Sequence, residues 1–334
     1  MRKIARFFVL LCILAPAVWA QVYVFPEEGR VPYLNMIQGA KKSLDVMIYV
    51  IDDPSLAQAL IDAHDRGVKV RILIEKEKYS HEQSESSSEK TIKRLEQAGI
   101  PLKKTPDHVA QTHTKLIIQD STKALVSTGN MDAESFDGLP GIARPARDFA
   151  VDVTNPEILL ELQTLFTQDW LGQVTEGIKH VTVAPGPYRD WVLNEINQAE
   201  KSLEIYQQDF TDPVLQKAVL AALARGVQVS LIMTPYPFSK KWDKNIPFQE
   251  TLGKKGACVC LRDDLYIHAK LVLIDRGTPK ARALFGTSNF YAPSLDKNRE
   301  IALLITDKED LQTFGGVFDQ DIKASPTEAS ENSL

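Results

Sequence analysis

Two stretches of this chain repeat one pattern of apolar and polar positions. Residues 37–74 read IQGAKKSLDVMIYVIDDPSLAQALIDAHDRGVKVRILI, and residues 196–233 read INQAEKSLEIYQQDFTDPVLQKAVLAALARGVQVSLIM. The offset is a constant 159, and fourteen of the 38 positions are identical. In the first copy, Ile37–Lys42 reads as the end of a helix and Ser43–Tyr49 as a strand. Asp53-Pro54 predicts a helix start, because Asp caps free N–H groups and Pro at the first turn removes one that has no partner. Leu56, Leu60 and Ala63 then share one face, and Gly67 marks the stop. Val68–Ile74 reads as a second strand. Strand, helix and strand in this order form a crossover, which implies parallel strands in a helix-covered sheet.

The repeat continues with small drifts in spacing. Leu95 and Gly99 match Leu252 and Gly256, and His113 matches His268. Asp148, Ala150, Thr154, Phe166 and Asp169 match Glu300, Ala302, Thr306, Phe318 and Asp321. The chain is therefore expected to be one unit written twice, at 21–177 and 178–325. Gly177–Pro187 reads as the joint, 326–334 as a disordered polar tail, and Tyr79–Lys90, rich in Ser and Glu, as a mobile surface loop.

Composition changes this picture in three places. With 334 residues, 44% hydrophobic and 25% charged, the chain is ordinary globular material. Its net charge of −5 is spread thinly, whereas nucleic-acid binders more often carry a concentrated basic face. Residues 1–20 read as a cleaved signal peptide: Arg2, Lys3 and Arg6 precede the apolar run Phe7–Val18, and Val18-Trp19-Ala20 approximates a cleavage site. That implies a secreted or periplasmic bacterial protein. Cys258 and Cys260 sit two apart on one strand face and read as buried small apolar residues, since a disulfide between them would be strained.

The candidate chemistry lies where the copies agree. One copy runs His113-Thr114-Lys115, then Asp120, then Ser127-Thr128-Gly129-Asn130. The other runs His268-Ala269-Lys270, then Asp275, then Gly286-Thr287-Ser288-Asn289. Residues two apart on a strand point the same way, so each His and Lys are neighbours. A lone pair of this kind is a weak signal, but its recurrence at matched positions argues for a site. Of the other histidines, His108 stands close enough to His113 to line the same pocket, while His64, His81 and His180 have no matched partner. No cluster has metal-ligand spacing, so neither a metal nor a cofactor is expected.

This pattern resembles the phospholipase D superfamily, whose signature H-x-K-x4-D-x6-G-S-x-N occurs twice. The likeness covers essentially the whole mature chain. H-x-K-x4-D is intact in both copies; the second carries G-T-S-N after four extra residues, and the first has its Gly displaced to position 129. Leu165–Trp170 also looks like the helix that follows the first motif in that family. The resemblance implies an α/β fold: a duplicated α/β/α sandwich of two halves about a pseudo-twofold axis, active as a monomer. It implies a phosphodiesterase that hydrolyses phospholipid at a membrane surface to phosphatidate and a head-group alcohol through a phosphohistidine. A cardiolipin synthase-like phosphatidyltransferase, or a nuclease acting on nucleic acid, is the alternative.

Phosphodiester chemistry assigns the roles. Lys115 and Lys270 would neutralise the non-bridging oxygens, with Thr128, Asn130, Thr287 and Asn289 adding donors. One neutral histidine attacks phosphorus and the other, protonated, serves the leaving oxygen. By the family resemblance His113 is the nucleophile and His268 the acid. Asp148 and Glu300 are the candidates to fix the histidine tautomers, and Asp120 and Asp275 are expected to tie the motif strands to their neighbours.

Overall fold

The computed structural model describes residues 21–75, 87–138, 144–237, 240, 241 and 243–324. The signal-like segment 1–20, the tail 326–334 and residues 79–86 of the Ser- and Glu-rich stretch lie outside the described residues. The rest of that stretch is not loop, because Ser87–Lys90 opens a helix.

The first half carries strands β1 (Val22–Phe25), β2 (Ser43–Ile48), β3 (Lys69–Ile74), β4 (Leu102–Lys104), β5 (Leu116–Gln119), β6 (Lys123–Ser127) and β7 (Ala146–Val153). Its helices are α1 (Val31–Gly39), α2 (Pro54–Asp65), α3 (Ser87–Gln97), α4 (Ala133–Asp137) and α5 (Pro156–Leu171). The second half repeats the series with β8 (Thr182–Ala184), α6 (Tyr188–Asn197), β9 (Ser202–Tyr206), α7 (Pro213–Ala224), β10 (Gln228–Met233), α8 (Ile246–Lys254) and β11 (Cys258–Leu261). It continues through a short added strand, β12 (Tyr266–Ile267), to β13 (Leu271–Ile274), β14 (Arg282–Gly286), α9 (Ala292–Asp296), β15 (Glu300–Ile305) and α10 (Lys308–Ala324).

The strands form two sheets of matching order, β1-β7-β6-β5-β2-β3-β4 and β8-β15-β14-β13-β9-β10-β11. The crossovers β2–α2–β3 and β9–α7–β10 are parallel, as their pattern predicts. The sheets as wholes are mixed, because β5 to β7 and β13 to β15 pair antiparallel. Asp53 and Asp212 cap their helices as read, each accepting two backbone N–H bonds. Helix α1 stops at Gly39, short of Lys42, because Asp120 draws the N–H groups of Lys41 and Lys42 into a turn. The joint is also more than a linker, since it contributes β8 to the edge of the second sheet. β11 is the opposite edge of that sheet, which leaves Cys258 exposed and Cys260 half-buried rather than in the core.

Alternation along the strands feeds separate cores. Leu44, Val46 and Ile48 of β2 pack in a cluster with residues of α1 and α2, and Leu203 and Ile205 of β9 do the same with α6 and α7. Between them lies an inner core with residues of both sheets, among them Leu116, Phe149, Leu271 and Phe285, and Phe166 of α5 with Phe314 and Phe318 of α10.

Two buried ion pairs cross this inner core in opposite senses. Arg147 of the first half donates to Asp321 of the second at 2.8 and 3.1 Å. Arg299 of the second donates to Asp169 of the first at 2.7 and 2.9 Å. β12 adds a parallel pairing onto β7, and Thr112 bridges to Arg299 at the matching place. Removing one member of a buried pair leaves an uncompensated charge, so Arg299→Met is expected to lower unfolding stability by about 3–5 kcal/mol. The pair of substitutions Arg299→Met and Asp169→Leu should restore most of that loss in denaturant titrations. Equal losses in the single and double variants would show that the ion pair is not what joins the halves.

Candidate active site

The peptide groups of each H-x-K segment are held by the other half. The His113 N–H donates to the carbonyl of Arg299 at 3.0 Å, and the His268 N–H to that of Arg147 at 3.1 Å. The residues that follow those arginines are Glu300 and Asp148. Their carboxylates therefore land on the histidine of the opposite half. His113 Nδ1 lies 2.9 Å from Glu300 Oε1, and His268 Nδ1 lies 3.0 Å from Asp148 Oδ2. An ionised carboxylate accepts only, so Nδ1 carries the proton and donates in both pairs, which leaves each Nε2 as the reactive nitrogen. The four residues are buried, the histidines being 8% and 7% exposed and lining one cleft.

The threonines do not serve as expected. Thr128 Oγ1 donates to Asp148 Oδ1 and Thr287 Oγ1 to Glu300 Oε2, both at 2.5 Å, from positions with no exposed surface. Their hydroxyl protons are thus committed to orienting the carboxylates, and the phosphate-binding reading of Thr128 and Thr287 is withdrawn. Ser294 adds a second hydroxyl to Glu300. Asn130 and Asn289 do line the cleft, and the Asn289 side chain is fixed by donating to Gln208 at 3.1 Å. The displaced glycine has a steric cause: a Cβ at Gly129 would lie 2.7 Å from Asp148 Oδ2. Ser127, which stands where the second copy has Gly286, is held by the Tyr33 hydroxyl at 2.6 Å.

Lys115 and Lys270 are almost fully buried, and each ammonium donates to the carbonyl of its own histidine. Burial lowers the Lys115 pKa to about 8, against the opposing pull of Glu300 and Asp148. Burial lowers Lys270 as well, with the nearby charge of Lys115 adding to it and Asp148 and Glu300 opposing it. Burial also lowers both histidines to about 4, although Glu300 and Asp148 act to raise them. Burial alone would raise the two carboxyls, but His113 holds Glu300, and His268 holds Asp148, below the usual carboxylate range. These shifts favour the neutral imidazole in both histidines of the free site. Two buried ammonium groups press both histidines toward the neutral form, and a bound anion would offset that pressure.

Asp120 and Asp275 sit outside this group. Each has φ of 53° at the turn that ends its motif strand. Asp120 accepts from the N–H groups of Lys41, Lys42 and Ser43, and Asp275 from those of Glu200, Lys201 and Ser202. His108 does not line the cleft but packs against the Arg299–Asp169 pair, 3.4 Å from Asp169. Sequence reasoning passed over Arg147 and Arg299, although they recur at the same offset as the acids beside them. It also passed over Tyr49 and Tyr266, whose rings lie 5.0 Å from His113 and 6.2 Å from His268. These two have no counterpart in the repeat, so no pattern marked them. Among the described residues, no group of three or more His, Cys, Asp or Glu side chains could hold a metal ion.

Sulfate tests the electrostatics, because it carries no titratable proton near neutrality. At pH 6.5 its binding is expected to raise one histidine pKa and draw close to one proton per chain from solution. Calorimetry in two buffers of different ionisation enthalpy measures that uptake. Binding with no buffer-dependent heat would contradict the expectation that a bound anion raises a histidine pKa.

Comparison with known proteins agrees with this geometry. The family described as cardiolipin synthase, PLD-like domain, matches residues 33–170 and 192–322. The major cardiolipin synthase of Bacillus subtilis (strain 168) is 25% identical over 334 residues, covering 87% of this chain and 66% of that protein. A phospholipase D of Rickettsia conorii (strain ATCC VR-613 / Malish 7) is 30% identical over 130 residues, covering 39% of this chain and 62% of that one. The chain therefore spans less than two thirds of the length of these curated relatives. The solved structure of phosphatidylserine synthase from Haemophilus influenzae Rd KW20 superposes with a TM-score of 0.71 at 14% identity, over 92% of this chain and 86% of that one, and shares the fold. With both of its H-x-K halves matched, this chain belongs to the phospholipase D superfamily, in the cardiolipin synthase, PLD-like domain family.

Proposed function

We propose that this chain transfers the phosphatidyl group of a phospholipid to an alcohol, with water as the competing acceptor that yields phosphatidate. One observation carries the reading: two histidines, each fixed by a carboxylate of the opposite half, face one cleft beside two buried lysines. The names of the relatives, two of them phosphatidyl-transferring synthases, support transfer ahead of hydrolysis. The reading of residues 1–20 as an export signal supports action on a lipid surface outside the cytoplasm.

In the first step the Nε2 lone pair of His113 forms a bond to phosphorus while the bond to the head-group oxygen breaks. That oxygen takes its proton from Nε2 of His268, which acquires it as the anionic diester enters. Lys115, Lys270, Asn130 and Asn289 hold the non-bridging oxygens. The incoming alcohol then gives its proton to His268 and its oxygen to phosphorus, freeing His113. Attack and departure on opposite faces of phosphorus need both histidines, so one chain suffices and acts as a monomer.

His113→Ala and His268→Ala are each expected to lower lipid turnover by at least about three orders of magnitude, as removal of an essential nucleophile or acid does. Product analysis on phospholipid vesicles with an added alcohol, with EDTA present, measures this. A phosphatidyl-alcohol product lost in both variants, and not restored by mixing them, is the expected result. Turnover retained by either variant would contradict a single composite site. Phosphatidate alone at high alcohol concentration would move the chain to the hydrolases.

A further inference from the structure

The halves contribute matching residues to the reacting centre but not to the walls around it. Where the repeat aligns, Asp52 stands opposite Thr211, Asp132 opposite Tyr291, Glu134 opposite Pro293, and Val50 opposite Asp209. The outcome is a cleft of about 1070 Å³ lined by four carboxylates, Asp52, Asp132, Glu134 and Asp209. Tyr49, Tyr236, Tyr266 and Tyr291 line it as well. Apart from the two histidines, its lining among the described residues has one basic side chain, the exposed Arg144. Lys240 lies nearby, over the Tyr236 ring at 5.4 Å.

We propose that this one-sided acidic wall receives the ammonium group of an amino-alcohol head group, so that the chain uses phospholipids bearing ethanolamine or choline in preference to phosphatidylglycerol. The inference rests on the phospholipid reading above and names the substrate class of that same site. Two carbons separate the ammonium from the bridging oxygen in these lipids. A phosphorus held between the histidines therefore leaves the ammonium inside the same cleft. Carboxylates supply its counter-charge, and tyrosine faces attract cations through the ring quadrupole. Glycerol can make hydrogen bonds there but cannot offset the carboxylate charge. A second anionic group, as in a polynucleotide, would meet like charge.

Two further observations point the same way. The side-chain carbonyl of Asn289 and one carboxylate oxygen of Asp209 are buried without a hydrogen-bond partner, and Asn289 as a whole is only 6% exposed. Unsatisfied acceptors of this kind are costly and add negative potential behind the cleft surface. Burial, with the charges of Asp52 and Asp148 adding to it, also raises the Asp132 carboxyl to about 6, even though Ser135 donates to it. The Asp52 and Asp148 carboxylates thus act on Asp132 as like charges.

The test uses the full chain with phosphatidylethanolamine, phosphatidylcholine and phosphatidylglycerol, each in the same detergent micelle. The expected result is a kcat/KM about tenfold or more higher for the zwitterionic lipids, which corresponds to about 1.4 kcal/mol. Asp132→Asn keeps a side chain that caps α4, and Glu134→Gln keeps size and shape. Each is expected to narrow the preference several-fold, chiefly through KM for the zwitterionic lipid. Phosphatidylglycerol used equally well or better, or a preference that neither substitution moves, would overturn the proposal while leaving phosphatidyl transfer in place. Cleavage of single-stranded DNA without turnover of any phospholipid would instead overturn the phospholipid reading itself.

Discussion

A buried imidazole has two nitrogens, and only a fixed partner for one of them decides what the other can do. Here that partner comes across the molecular pseudo-axis in both directions: Glu300 for His113 and Asp148 for His268. The crossing is enforced by neighbours in the sequence. Arg299 and Arg147 give their carbonyls to the opposite H-x-K segments and their guanidinium groups to Asp169 and Asp321 of the opposite terminal helices. Support, orientation and ion pairing thus run through adjacent residues, on β7 in one half and at the entry to β15 in the other. Neither half by itself holds an oriented histidine.

This arrangement also sets the charge state. Six ionisable side chains of the reacting centre are buried, and two of them are lysines. Burial biases the histidines toward the neutral form, while the histidines and lysines that face the carboxyls favour their ionised form. A bound anion would offset that bias and favour protonation of one histidine from solution. Both halves share this chemistry, so selectivity must come from positions where the copies diverged. The acidic and tyrosine-bearing walls are those positions.

Much of this was legible in the chain. Caps at Asp53 and Asp212, the paired crossovers and the H-x-K recurrences follow from local rules, namely N–H satisfaction at helix starts and side-chain period along strands. Asp148 and Glu300 could be picked as acids because the repeat carried them. What sequence could not supply was which acid serves which histidine, since that depends on how the two sheets face each other. It also misjudged Thr128 and Thr287, whose donor chemistry was read without knowing what lay behind them, and the cysteines, whose strand proved to be an edge. Tyr49, Tyr266 and the acidic wall escaped because a repeat reveals what two copies keep, not where they differ.

On the function proposed above, two halves make one reacting centre with one nucleophile. Rapid mixing with a phospholipid, an alkaline quench that preserves phosphoramidate bonds, and mass spectrometry of the digested chain would test it most directly. At most one phosphatidyl adduct per chain is expected, on His113. Adducts on His113 and His268 of the same chain, or an adduct on any other residue, would contradict it.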